Sequence, residues 1–296
     1  MSISAEHARL MRLASGAALA VALSLALAKA LAWWMSGSVS LLAGLTDSLL
    51  DGAASLLNLL AVHYALRPAD DDHRYGHGKA EALAGLGQSL FIGVSAILVG
   101  VQGVNRVLHP EPLGAQGLGI AVMLVSLGLT AALLLFQQHV VKVTGSTAIR
   151  ADSLHYRSDL LLNSSILLAL VLAGFGWHRL DAIFGIAIAF YILWSAMTIA
   201  RESVAVLMDA ELSVEITERM HLLACAVPSA LGAHDLRTRI SGTRWFVQLH
   251  LELPNEMPLS QVHELCEQVE TAIQAECPQA EVLVHPDPQS VLPASA

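Results

Sequence analysis

Six apolar stretches, near residues 13–35, 39–66, 81–108, 115–139, 154–174 and 180–205, dominate this 296-residue chain. An α-helix rises about 1.5 Å per residue, so about 20 apolar residues cross the hydrocarbon of a bilayer. Each stretch is that long. Within lipid the backbone must satisfy its own hydrogen bonds, which leaves helices as the structure these stretches can adopt. Only 14% of the residues are charged, against about a quarter in a soluble domain. The fold expected is therefore an α-helical polytopic membrane domain of six transmembrane helices. Arg9 and Arg12 precede the first stretch, and "ALAKALA" at 26–32 resembles a signal-peptide cleavage region. The apolar run continues through Trp33, Trp34 and Met35, however, so a first transmembrane helix is expected. Lys29 is near enough to its end to snorkel and is given no function.

The connections alternate in charge. Arg67, Arg74 and Lys79 fall in the second, Lys142 and Arg150 in the fourth, and Arg201 after the last helix. The first connection has no charge, the third offers Arg106 and the fifth Arg179. Lys and Arg mark the cytoplasmic side, which predicts that the N-terminus and the C-terminal tail both face the cytoplasm. Trp33, Trp34 and Trp177 fit an interfacial aromatic belt at the opposite face.

From Asp209 onward there are 13 acidic and 4 basic residues, whereas residues 1–208 hold 12 of each, so the net charge of −9 belongs to the tail. Residues 1–208 are thus read as the transmembrane domain and 209–296 as a separate acidic one. Its acidity argues against nucleic acid. Cys225, Cys266 and Cys277 lie there without C-x-x-C spacing, suggesting a reducing compartment. The tail reads helix–strand–strand–helix–strand. It runs from 214–227 through a hairpin turning at Gly242-Thr243, a helix capped by Ser260, and a short strand stopped by Pro286. That order predicts a small α+β ferredoxin-like domain.

Against this background Asp47 and Asp51 stand out: two carboxylates inside an apolar helix, spaced i, i+4 on one face. Ionised carboxylates in hydrocarbon are expensive and mark function. His155 and Asp159 repeat the spacing on another helix. Three carboxylates and an imidazole can converge on one divalent cation, with Zn²⁺ suited and Fe²⁺, Cd²⁺, Co²⁺ or Mn²⁺ also admitted. Metal and protons would compete for such a site, which is the chemical basis of antiport. A second set, Asp70, His73 and His77 in "DDDHRYGHGK", has chelating spacing, and the Gly76–His77–Gly78 turn could fold His77 onto Asp70. A third lies in the tail: His234, His250, His263, His285 and Asp287. His7, His109, His139, His178 and His221 have no partner at ligand spacing, while His63, Asn58 and Asn163 read as interhelical hydrogen-bonders. "HELCE" lacks the second histidine of a zinc protease, and there is no G-x-S-x-G or Walker-type loop, so no enzyme is expected.

"RPADDDHRYGHGKAEALA", "ADSLHYRSDLLLN" and "AHDLRTRISG" resemble the cation diffusion facilitator family, in particular its bacterial branch of zinc and ferrous-iron exporters. The resemblance spans the chain. It implies a homodimer in the bacterial inner membrane that exports divalent metal in exchange for protons, with no prosthetic group. It further implies a transport site of Asp47, Asp51, His155 and Asp159, a loop site of Asp70, His73 and His77, and a cytoplasmic site of His234, His250, His263, His285 and Asp287. Lys79 and Asp209 map onto an ion-pair cluster that holds the dimer together in that family. The rivals from other classes are a membrane-anchored metal sensor and a channel.

Overall fold

The structure, a computed structural model, describes residues 5–36, 39–108, 117–173 and 180–289. Trp177, Arg179, His109 and His178 lie outside the described residues, as does the side chain of Arg106. Six long helices come first: α1 (Ala5–Ser36), α2 (Val39–Ala65), α3 (Lys79–Leu108), α4 (Gly117–Thr144), α5 (Thr147–Ala173) and α6 (Leu180–Leu207). All but α5 are long and apolar enough to cross a membrane. The first half of α5 carries Arg150, Asp152, His155, Arg157 and Asp159, which dilutes its hydropathy. The apolar stretch read from residue 154 is only the later part of this helix. Gly145, with φ of 67°, ends α4, and the Ser146 hydroxyl accepts the Ile149 amide at 3.3 Å to start α5.

By contacts the chain divides into two compact units, one of residues 6–68 and 79–204 and one that joins residues 69–78 to residues 205 onward. In the helical unit, α1 buries a row of small side chains, Ala14, Ala18, Ala22 and Ala26. Such rows let helices approach closely in lipid. Tyr156 of α5 uses that closeness: its hydroxyl donates to the Ala18 carbonyl at 3.0 Å and pairs with Ser55 Oγ of α2 at 2.8 Å. Asp152, fully buried, accepts from Gln88 of α3 at 3.0 Å and Gln137 of α4 at 2.6 Å. Two polar knots thus tie α5 to four neighbours. Leu27, Leu57, Leu90, Leu135 and Trp194 point outward and are more than half exposed, as lipid-facing residues are. Among the described residues the buried Asn58 amide finds no hydrogen-bond partner, so it is not the interhelical link expected of it.

The C-terminal unit contains α7 (Val214–Cys225), β1 (Gly232–Ser241), β2 (Arg244–Leu253), α8 (Leu259–Glu276) and β3 (Ala280–Pro288). Strand order is β1-β2-β3, with β1 and β2 antiparallel and β2 and β3 parallel. This is the expected α+β order, with Gly242 at φ of 61° in the hairpin turn. Val247, Leu249, Leu251 and Leu253 alternate along β2 and pack with Met220 of α7 and Val269 and Ile273 of α8. One sheet face is therefore core, and the alternate residues of β2 point to the other.

Two local expectations are corrected. Pro258, not Ser260, occupies the N-cap of α8, its φ of −61° being what proline's ring imposes. β3 also runs through Pro286, which pairs with Leu251, because an edge strand tolerates a missing amide. Replacing Gln137 by Leu leaves one oxygen of the buried Asp152 without its donor. We expect a loss of about 1–3 kcal/mol, seen as a lower thermal midpoint in detergent; an unchanged midpoint would contradict the role given to this knot.

Candidate metal centres

The i, i+4 spacing on α2 and α5 places the four intramembrane candidates on facing helical surfaces. His155 Nε2 lies 2.9 Å from Asp51 Oδ1 and 3.6 Å from Asp159 Oδ2. One ligand atom from each of these three residues falls within 4.8 Å of the others, a spread one cation can bridge. Asp47 stands outside this tight set but lines the same cavity of about 340 Å³ as Asp51, Asp159 and Asn163. Tyr156, next to His155, is the residue pinned to α1 and α2, so the imidazole is carried on a fixed stretch of backbone. Phe91 closes one side, its ring centroid 6.3 Å from that of His155.

The loop set is equally local. Asp70 accepts the His73 backbone amide at 2.7 Å, and its two oxygens lie 3.2 Å from His73 Nδ1 and 3.3 Å from His77 Nε2. Gly76, at φ of 79°, makes the turn that folds His77 back to Asp70. His77 is buried while Asp70 and His73 are exposed. Asp71 pairs with Arg74 at 2.9 Å and leaves the set alone. Docking against the sheet holds the loop. Tyr75 meets Phe246 edge-on at 5.3 Å, and Arg239 sits 4.2 Å over the Tyr75 ring. A Cβ on Gly78 would collide with the Ser241 carbonyl, so this approach requires glycine.

Strand register builds the third set. His234 pairs with His250, and His250 pairs with His285, so three imidazoles stand in a row across the sheet. Ring centroids are 5.2 Å and 4.7 Å apart along the row. Asp287, two residues on from His285, lies 2.7 Å from His250 Nδ1, 3.5 Å from His234 Nε2 and 3.4 Å from His285 Nε2. His234, His250 and Asp287 offer three ligand atoms within 4.8 Å of one another. The structure does not bring His263 to this set. It lies on α8, which covers the opposite face of the sheet, and pairs with Glu267 at 3.4 Å.

Hydrogen bonding keeps two of these carboxylates charged. The His73 amide holds Asp70 below the usual carboxylate range, and His250 does the same for Asp287. A depressed folded-state value means these groups favour the fold above the ordinary pKa of about 3.9. That contribution is lost as pH falls through their own values, so at neutral pH both are ionised and able to ligate.

Two residues escaped the sequence reading. Glu252 accepts from His234 Nδ1 at 3.0 Å, and Gly232 opposite it leaves room, since a Cβ there would approach Glu252 Oε2 to 2.9 Å. Its position two residues from His250 on one strand was the available signal. Lys29 does not snorkel: its ammonium donates to Ser48 Oγ at 2.6 Å, and it lines the cavity with Asp47, Asp51 and Asp159. Lys79 opens α3, while Asp209, at φ of 56°, lies 3.7 Å from Arg239.

Two family models match the chain in succession. Residues 16–208 match the cation efflux transmembrane domain, and residues 212–289 match the cation efflux protein cytoplasmic domain. The cation-efflux pump FieF of Klebsiella pneumoniae is 49% identical over 290 residues, covering 98% of this chain and 97% of that protein. The FieF of Citrobacter koseri is 48% identical over 287 residues, 97% of this chain and 96% of that protein. Among solved structures, the Zn form of CzrB, described as a candidate zinc transporter, is 30% identical. It covers 29% of this chain and 99% of that one, with a TM-score of 0.27.

Residues that orient a ligating histidine typically change metal affinity by about 10- to 100-fold when replaced. Glu252→Gln should weaken Zn²⁺ binding at the histidine row by that factor in isothermal titration calorimetry. Unaltered affinity removes Glu252 from the site.

Proposed function

We propose that this chain, which belongs to the cation efflux family and is a cation efflux transporter, exports Zn²⁺ in exchange for protons by alternating access. The observation that carries this reading is the convergence of Asp51, His155 and Asp159 from α2 and α5, with ligand atoms within 4.8 Å. Asp47, on the wall of the same cavity, completes a set of one imidazole and three carboxylates. That set suits tetrahedral Zn²⁺, and its hard oxygens also accept Fe²⁺ or Cd²⁺. Similarity to the cation-efflux pumps named FieF supports a bacterial inner-membrane exporter.

Zn²⁺ from the cytoplasm reaches the Asp47, Asp51, His155 and Asp159 site and displaces protons, because these ligands bind metal only when deprotonated. A rearrangement of α2 and α5 exposes the site outside, where protons reload it and are carried inward. His155 is the nitrogen ligand of the set and gives up its proton when metal binds, since an imidazole ligates only when neutral. Residues 209–296 form the cytoplasmic part. There His234, His250, His285 and Asp287, with Glu252 orienting His234, bind regulatory metal, while Asp70, His73 and His77 form a separate loop site. Metal at these sites tightens a homodimer to which Lys79 and Asp209 contribute. A sensor has no use for ligands inside the membrane, and a channel has none for a proton-competing site.

Reconstituted into proteoliposomes, the protein should accumulate Zn²⁺ faster when a pH gradient is imposed, and Asp51→Ala should abolish metal-dependent proton flux while the fold persists. Flux without proton coupling, or flux undiminished in Asp51→Ala, contradicts the reading.

A further inference from the structure

Lys29 is the one cation on the wall of the intramembrane cavity, among the described residues that line it. Its position is built. The aliphatic stem lies along Gly44 of α2, where a Cβ would sit 3.7 Å from Lys29 Cδ, and the ammonium donates to Ser48 Oγ at 2.6 Å. Gly44 and Ser48 are one helical turn apart, so together they form a channel for the side chain on the surface of α2. Ser48 is 2% exposed and stands next to Asp47, so this hydrogen bond holds the charged end beside the carboxylates. A snorkelling lysine directs its head toward water at the helix end. This one is directed across to the neighbouring helix.

Charge counting shows what such a cation can do. Asp47, Asp51 and Asp159 carry three negative charges, and a divalent cation cancels two of them. The third would remain inside the membrane, where an uncompensated charge is costly. With His155 neutral as a ligand, the Lys29 ammonium makes the loaded cavity neutral. When the cargo leaves, the same ammonium is the fixed positive charge left facing the emptied carboxylates.

Building on the transport-site reading above, we propose that Lys29 is the resident counter-cation of that site: it balances the carboxylate that a divalent cargo leaves uncompensated, and by repelling the cargo it sets how readily the metal is released. A cation this close to M²⁺ costs affinity, since like charges repel across the low-dielectric cavity. Removing it strengthens binding and slows release. The residue would thus trade affinity for turnover.

The test uses the full chain carrying His77→Ala and Asp287→Ala, so that Zn²⁺ titrates the intramembrane site. Calorimetry at about pH 8 limits competition from protons. Lys29→Met should bind Zn²⁺ about tenfold or more tightly, given the strength of a monovalent–divalent repulsion at an effective dielectric constant of about 20. In proteoliposomes its KM and kcat should both fall, while Lys29→Arg, which keeps the charge, stays close to the parent in all three. Lys29→Gln replaces Lys29→Met if the latter does not fold, with the same expectation. A Zn²⁺ affinity and turnover in the neutral variants equal to the parent would overturn the proposal, as would equal effects in Lys29→Arg. Asp51→Ala in the same background separates the two levels. If Asp51→Ala abolishes binding while Lys29→Met leaves it unchanged, only the counter-cation role fails; if Asp51→Ala binds Zn²⁺ like the parent, the site itself fails.

Discussion

Carboxylates inside hydrocarbon are tolerated only when something holds them, and in this chain the holder is the His155 imidazole, 2.9 Å from Asp51 and 3.6 Å from Asp159. Much of the helical unit can be understood as support for that contact. It requires α2 and α5 to face each other at a fixed height. Tyr156 fixes the height by bonding to Ser55 on α2 and the Ala18 carbonyl on α1. One turn earlier, Asp152 binds Gln88 and Gln137 and fixes α5 against α3 and α4. The small residues of α1 make room for these contacts. A bulkier α1 would separate the helices and leave the polar groups unsatisfied, at a cost of about 1–3 kcal/mol for each.

The C-terminal unit solves a different problem with different means. Here water is available, and the sites are built by register rather than by burial. A parallel pairing of β2 with β3 and an antiparallel pairing of β1 with β2 bring His234, His250 and His285 into line. A slip of one residue in any of the three strands would turn that strand's histidine to the core face. The core side of β2, from Val247 to Leu253, therefore fixes the ligand side as well.

What could be read from the residues alone follows from periodicity. Asp47 with Asp51, and His155 with Asp159, announce themselves because i, i+4 spacing fixes a shared helical face without knowledge of any neighbour. The hairpin at Gly242 and the order of tail elements were legible for the same reason: alternation and turn chemistry are local. Contacts between segments were not. His263 shares residue type with the other histidines, but only the packing of α8 shows that it covers the opposite sheet face. Lys29 looked like a snorkelling residue because its distance from the helix end was visible and its contact with Ser48 was not. Helix α5 begins seven residues before the apolar stretch that starts near 154, since an apolar window misses a helix whose first half carries charge.

A divalent cation is expected to bind between α2 and α5 on Asp47, Asp51, His155 and Asp159. Anomalous diffraction at the zinc edge from Zn²⁺-loaded crystals tests it most directly. A peak is expected between the two helices, with the His155 nitrogen and aspartate oxygens at about 2.0–2.2 Å. A fully loaded protein with anomalous density only at the loop and the histidine row, and none between α2 and α5, would contradict it.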